Sequence, residues 1–405
     1  MQSLIVKKFG GTSVGTLERI RIVADQLIQT KQAEEKLVVV VSAMSGETDR
    51  LLNLAYELCP NPSAREIAAM ITTGEQVSAA LLAMALCEKG MPAKSFNAAQ
   101  LSILTDAELP TKARITKISA EKISAALANN QILVVTGFQG VTESGDITAL
   151  GRGGSDTSAV ALACALSADE CQIYTDVDGI YTADPRLVPN AYRVEQIPFA
   201  AMMTLAKLGS KVLQWRSVAL AGKYQIPLRV LSSFKEGKGT LMHYDQAQIE
   251  SAKFSGLSHQ MGLTRWIIKI KNPQGNELSL LAESLAQQQV LLESIHQTQI
   301  HHAAEISLLF SREENAQATV LLNTLCEQHH WSCEAQHGFA RISLVGIGLS
   351  SNPEVAASFF AALSQLNIPI QETLYSELSL SAIIPDSELP QAARALHKIF
   401  FESSI

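Results

Sequence analysis

The 405-residue chain has few long apolar runs: the longest, such as 77–87 and 159–166, fall well short of the roughly 18–20 residues needed to span a bilayer. It also has no basic stripe. Residues 1–250 carry 24 Lys and Arg against 25 Asp and Glu, and residues 251–405 carry 8 against 14, for a formal charge of −7 overall. No surface for nucleic acid or an anionic membrane is therefore expected. Six cysteines (Cys59, Cys87, Cys164, Cys171, Cys326, Cys333) form no C-x-x-C pair and lack the density of a disulfide scaffold. Reduced thiols and a cytoplasmic location are expected, since the first residues enter a strand and not a signal peptide. No histidine precedes His243. All nine, including His301-His302 and His329-His330, lie beyond residue 242 without metal-ligand spacing, so they are expected in exposed loops and no protein metal site is expected.

What is present is apolar content of 47 %, ample for two or three cores. Residues 4–9 read as a strand, Gly10-Gly11-Thr12-Ser13 as a tight loop, and Leu17, Ile20, Val23, Ala24, Leu27 and Ile28 as one face of a helix. Adjacent glycines let amides approach an anion, a helix N-terminus behind them adds positive dipole, and Lys8 adds a full charge. The same pattern is also that of a plain turn.

A continuous aliphatic strand, 37–41, ends in the small polar loop Ser42 to Thr48. A helical stretch from 64 to 89 is interrupted at Thr73-Gly74-Glu75, where Glu75 either complements a helix dipole or serves a ligand. Strand 132–136 follows. The densest loop is Gly151-Arg152-Gly153-Gly154-Ser155-Asp156-Thr157, set before a small-residue helix, 158–167. A flexible linker would not run at once into such a helix, so an anion-binding loop is the better reading. Strand 172–175 leads to the Asp176 to Arg186 segment, helical segments between 199 and 223 contain Lys211, and strand 227–231 closes this half. Such alternation predicts an α/β domain with a largely parallel sheet, with ligand loops at the carboxyl ends of the strands. Residues 264–405 read as two copies of a βαββαβ unit, the ferredoxin-like plan.

Lys8-Phe9-Gly10-Gly11-Thr12-Ser13, Thr73-Gly74-Glu75, the 151–157 loop and the segment from Tyr174 to Arg186, in that order, resemble the aspartokinases over essentially the whole chain. The resemblance implies an amino acid kinase domain (1–245) with a three-layer fold and a largely parallel sheet, followed by two ACT domains (262–337 and 340–405). It implies transfer of the γ-phosphoryl group of MgATP to the β-carboxylate of L-aspartate, opening lysine, threonine and methionine biosynthesis. The alternative is a catalytically weak, amino-acid-sensing regulatory subunit.

By this resemblance Lys8, Lys211 and Asp176 are catalytic, Lys8 holding the transferring phosphate with the Gly10 and Gly11 amides. The ATP site is lined by Lys8, Phe9, Gly10, Gly11, Ser42, Tyr174, Thr175, Asp176, Tyr181, Asp184, Arg186 and Lys211. For aspartate, Arg152 suits an α-carboxylate and Glu75 an α-ammonium, with Thr48, Gly153, Gly154 and Ser155 beside them. Mg²⁺ is expected with the nucleotide. The expected partners are ATP and L-aspartate, a homodimer or higher oligomer formed through the ACT domains, and a separate ACT-only subunit. Asn272 and Asn352 stand where ACT units commonly place an aspartate, so neither lysine nor threonine is expected to act as a strong effector.

Overall fold

Hydrophobic alternation along Leu4–Phe9 is broken by Lys7 and Lys8, yet this strand (β1) lies at the centre of the first unit's sheet. The computed structural model describes residues 3–31, 35–129, 131–243, 253–300 and 303–402. They form two compact units, one built from 1–181, 192–207 and 211–249, the other from 182–191, 208–210 and 250–405.

In the first unit β2 (Lys36–Val41), β3 (Ala93–Phe96), β4 (Ile132–Thr136), β5 (Glu170–Thr175), β6 (Gln196–Pro198), β7 (Leu228–Ser232) and β8 (Thr240–His243) join β1 in the order β6-β8-β7-β5-β1-β2-β4-β3. Only the β7–β8 pairing is antiparallel. The strands β2 and β4 are aliphatic along their length because both faces are covered.

One face is covered by α1 (Leu17–Thr30) and α4 (Thr73–Glu88), whose Ile20, Val23, Leu27, Leu82 and Leu86 pack on Leu37, Val39 and Val41. Between these helices in sequence lie α2 (Glu47–Leu58) and α3 (Ala64–Ile71). The stretch Ala64–Glu88 is long and apolar enough to cross a membrane by composition, but 56 % of its most apolar window is buried inside the fold, as expected of a core helix. On the other face, α5 (Gly154–Leu166) is buried over its first ten residues. It begins four residues before the expected Ser158, so the glycine loop is the helix's own first turn. Helices α6 (Phe199–Lys207) and α7 (Trp215–Tyr224) follow.

The second unit holds one six-stranded sheet: β9 (Lys253–Lys271), β10 (Ser294–Ile300), β11 (Ala303–Phe310), β12 (Ser332–Ile347), β13 (Glu372–Tyr375) and β14 (Ser379–Pro385), ordered β10-β11-β9-β12-β14-β13. Helices α8 (Glu277–Gln287) and α9 (Arg312–His329) belong to the first copy, α10 (Pro353–Gln365) and α11 (Leu389–His397) to the second. The expected boundary at 262 falls inside β9. Residues Leu263–Ile268 of β9 pair with Phe339–Cys333 of β12, whereas Phe254–Gln260 pair with Gly346–Arg341. The second copy therefore takes its fourth strand from upstream of the first copy. A register shift between Gln260 and Leu263 marks the hand-over.

Two expectations about histidine meet this unit. His301 and His302 lie outside the described residues. His397 is fully buried, its ring nitrogens 2.9 Å from Thr182 Oγ1 and 3.0 Å from Glu402 Oε1, which corrects the expectation of exposed loop histidines. A buried imidazole with partners at both nitrogens is satisfied like any other core polar group.

Candidate active site

In the first sheet β5, β1 and β2 are neighbours in register, with Phe9 opposite both Tyr174 and Val41, and Val41 opposite Thr136. Parallel pairing then delivers the loops after Phe9, Val41, Thr136 and Thr175 to the same end of the sheet. Ser42 N–H donates to Phe9 C=O at 3.1 Å and Gly137 N–H to Val41 C=O at 2.9 Å, tying three loops together.

Lys8, the penultimate residue of β1, is 8 % exposed, and its Nζ lies 2.6 Å from Oδ1 of Asp156 in the first turn of α5. That oxygen has no aligned hydrogen-bond donor, so the pair is a contact of charges and both groups retain hydrogen-bonding capacity. Asp156 was quoted within the glycine motif and given no role by sequence reasoning. The signal that could have found it was the need of a lysine in a buried central strand for a counter-charge.

The glycine pair is partly committed. Gly10 N–H donates to Tyr174 C=O at 3.2 Å, which corrects the expectation that this amide is free to hold phosphate. Among the described residues Gly11 N–H has no protein acceptor, and a side chain there would stand 3.1 Å from Ala43 C=O. Helix α1 begins six residues further on, with Thr16 Oγ1 accepting from Arg19 N–H, so its dipole is capped by its own side chain. Instead, the uncapped helix start nearest Lys8 in contact is that of α5. Gly153 caps it in the left-handed region (φ 69°) with no side-chain cap. A Cβ at Gly153 would come within 1.7 Å of Gln214 Cγ, and one at Gly137 within 2.7 Å of Ser155. Ser155 on Gly137 and Gly154 on Phe138 thus sit against the β4 loop, Gly153 packs on Gln214, and Arg152 is exposed.

Glu75 sits in the first turn of α4 and is 3 % exposed. One carboxylate oxygen accepts from Ala43 N–H at 3.0 Å; the other, Oε2, is buried with no partner among the described residues. Burial pushes its pKa up to about 7, against the pull of its backbone hydrogen bonds. A side chain serving only the helix dipole would face solvent. This one is held against the β2 loop, because Gly74 packs so closely on Ala43 that a Cβ would stand 2.8 Å from that of Ala43.

At the end of β5, Phe9 and Tyr174 stack with ring centroids 4.6 Å apart on the face of β1 that bears Lys7, and Thr175 Oγ1 donates to Asp176 Oδ1 at 3.0 Å. Tyr181 Oη donates to Asp178 at 2.9 Å. Burial, and then Asp178, hold the Tyr181 hydroxyl above its ordinary pKa. Lys211 is exposed in the first unit, and Thr48 is half-buried in the first turn of α2. No described contact joins either to the Lys8 cluster. Asp184 and Arg186 belong to the second unit, where Arg186 Nη2 lies 2.7 Å from Asp184 and holds that carboxyl below its usual pKa.

Residues 3–232 match the amino acid kinase family, and residues 342–400 match an ACT domain. A Pseudomonas putida protein named aspartate kinase is 46 % identical over 402 residues, covering 98 % of this chain and 97 % of its own. Aspartokinase 2 of Bacillus subtilis is 41 % identical, with 98 % and 97 % covered. Among solved structures, Escherichia coli aspartokinase III in complex with aspartate and ADP superposes with a TM-score of 0.82 at 25 % identity, over 98 % of this chain and 100 % of that one. Sequence likeness along nearly the full length and the same chain path agree: the chain belongs to the aspartokinases, within the amino acid kinase family.

Proposed function

We propose that ATP and L-aspartate meet at the loop cluster around Lys8, Asp156 and Glu75, and that the aspartate kinase activity of this chain is carried there. A β-carboxylate oxygen of aspartate attacks the γ-phosphorus, the bond from that phosphorus to the β,γ-bridging oxygen breaks, and ADP leaves with 4-phospho-L-aspartate as product. A carboxylate with a pKa of about 3.9 is already ionised at neutral pH and needs no general base. What the reaction needs is neutralisation of one anion approaching another, which makes positioned charge the main contribution.

The observation that carries this reading is the orphaned Oε2 of Glu75. A buried carboxylate oxygen without a donor costs free energy until a cation arrives, and the α-ammonium of aspartate is a cation with three donors. Arg152 and the uncapped start of α5 suit the α-carboxylate, with Thr48 and Ser155 as hydroxyl neighbours. Lys8 takes the transferring phosphoryl group, its Asp156 contact fixing the ammonium in place. Thr175, Asp176, Tyr181 and Lys211 serve the nucleotide. Among the described residues no three His, Cys, Asp or Glu side chains converge as a metal site, and Mg²⁺ enters on the phosphates of ATP.

Residues 1–245 are assigned to catalysis and 262–405 to the ACT pair, with residues 254–260 added to the second copy on the strength of the β9–β12 register. Association through the ACT half is supported by its two unpaired edge strands, β10 and β13. A cytoplasmic setting is supported by cysteines that are all free thiols. The test is ATP-dependent acyl-hydroxamate formation with aspartate, with glutamate and with no acceptor. Product with aspartate alone is expected; equal product with glutamate would overturn the acceptor assignment.

A further inference from the structure

The two lysines of β1 face opposite sides of the sheet, and only Lys8 belongs to the catalytic cluster. Lys7 is 3 % exposed, and its Nζ donates to Thr30 Oγ1 at 2.8 Å, its single hydrogen-bond partner among the described residues. It lines an open cleft of about 720 Å³, together with Thr30, Glu35, Gln172, Tyr174 and Arg229. That volume is within the range of small-molecule sites.

The Glu170 and Gln172 acceptors at this cleft are already engaged, and the Glu35 carboxylate on its wall acts on Lys7 by its charge. Both oxygens of Glu170 accept from Arg229, at 2.9 and 3.1 Å, and one also accepts from Gln172 Nε2 at 2.8 Å. Gln172 Oε1 accepts from Tyr174 Oη at 3.2 Å. What remains to face the space is donor-rich: two N–H groups of Lys7, N–H groups of Arg229 beyond its three bonds, and the exposed Lys238 ammonium at the margin. Burial lowers the Lys7 pKa, opposed by the charges of Glu35 and Glu170. An ammonium this covered, with most of its donors unused, is completed by an oxygen acceptor.

We propose that this cleft is a second ligand site, for a small oxyanion bearing phosphate or carboxylate, held chiefly by Lys7 with Arg229 and Lys238 beside it. The site reaches the catalytic cluster through covalent neighbours. The Tyr174 ring that lines it stacks on Phe9, the Tyr174 carbonyl holds Gly10 N–H, and Lys7 adjoins Lys8. Occupancy on one face of β1 is thus placed to adjust the loop on the other, independently of the ACT half.

The test uses the full-length protein saturated with ADP and aspartate, so that the catalytic anion positions are filled. Equilibrium binding of radiolabelled orthophosphate, and separately of succinate, is measured at constant ionic strength, and the two arms tell phosphate from carboxylate ligands. One further oxyanion per chain is expected for the wild type and for Lys7→Arg, with at least tenfold weaker binding for Lys7→Met. Lys238→Ala, at an exposed position that cannot endanger the fold, is expected to weaken binding about threefold. No additional binding of either anion to the wild type, or equal binding by Lys7→Met and wild type, would overturn the proposal and leave the cleft to water. Should Lys7→Met not fold, wild-type affinity in Lys238→Ala together with no loss in Lys7→Gln would overturn it equally.

Discussion

Glu75 is the residue whose chemistry is most exposed to test. Its folded pKa of about 7 lies above the ordinary value of 4.5, so the ligand-free fold is favoured by a protonated carboxyl. Below pH 4.5 both folded and unfolded states hold the proton and nothing is lost. Between pH 4.5 and 7 the unfolded chain releases it first, and stability falls by an amount on the order of 3 kcal/mol, constant above pH 7. Glu75→Gln keeps the acceptor for Ala43 N–H and removes the titration. The variant is therefore expected to gain stability by about 2–3 kcal/mol at pH 8 and much less at pH 5 in urea unfolding, while its KM for aspartate rises at least tenfold for want of a charge-assisted bond. An equal effect at both pH values would mean that Glu75 is ionised throughout.

Lys8 carries a second prediction at this scale. Lys8→Ala should lower kcat by two to three orders of magnitude, by analogy with the loss of one preorganised donor worth about 3–4 kcal/mol. It should also lower stability by about 3 kcal/mol, because Asp156 is left buried without its counter-charge. Steady-state kinetics beside an unfolding curve separates the two losses. In Lys8→Ala/Asp156→Ala the stability loss should shrink while kcat stays low. Near-normal turnover in either variant would remove Lys8 from the mechanism.

At the level of elements, the strand ends and loops were legible because their signals are local. The aliphatic β2 and β4, the polar loops behind them and the break before Glu75 each follow from side-chain type and period. The start of α5 was misplaced by four residues because glycine is read as a helix breaker, whereas Gly153 in the left-handed region is the cap and Gly154 its first turn. The Gly10 amide was misjudged for the opposite reason: its acceptor, Tyr174 C=O, is 164 residues away and leaves no local trace. Gly153→Ala tests the cap. Both the φ of 69° and the approach of Gln214 oppose a Cβ, so stability should fall by about 1–3 kcal/mol and the KM for aspartate should rise. Gly153→Ala/Gln214→Ala removes the approach of Gln214 Cγ and Cδ but leaves its Cβ at 2.7 Å and the dihedral strain, so the midpoint of unfolding should recover only in part. Full recovery would show that φ carries no cost there.

For the whole molecule, the ACT half was legible as a repeat and illegible as a pairing, since nothing near residues 254–260 announces that they complete a motif begun at Arg341. Its side chains bear on regulation. Beside Asn272, the alternative carboxylate able to meet an effector's ammonium is Glu277, and that group is turned onto its own loop, accepting from Gly275 N–H at 2.9 Å and from Gln274 N–H. Although burial alone would raise its pKa, these backbone bonds hold it below the ordinary value, the mark of a carboxylate already satisfied. The next candidate, Glu293, lies 3.0 Å from Arg341 Nη2 and accepts from Gln260 Nε2 at 3.0 Å. In the second copy Asn352 Nδ2 donates to Gly348 C=O at 2.7 Å. With the amides of one loop filled by Glu277 and Asn352 turned onto Gly348 in the other, lysine and threonine are expected to inhibit weakly, alone or together, with affinities about tenfold or more below the micromolar range. Calorimetric titration of the purified enzyme alongside activity measures this, and micromolar binding of either amino acid would refute it. Glu277→Gln weakens the internal occupant of the loop, so any gain in effector binding should appear there first.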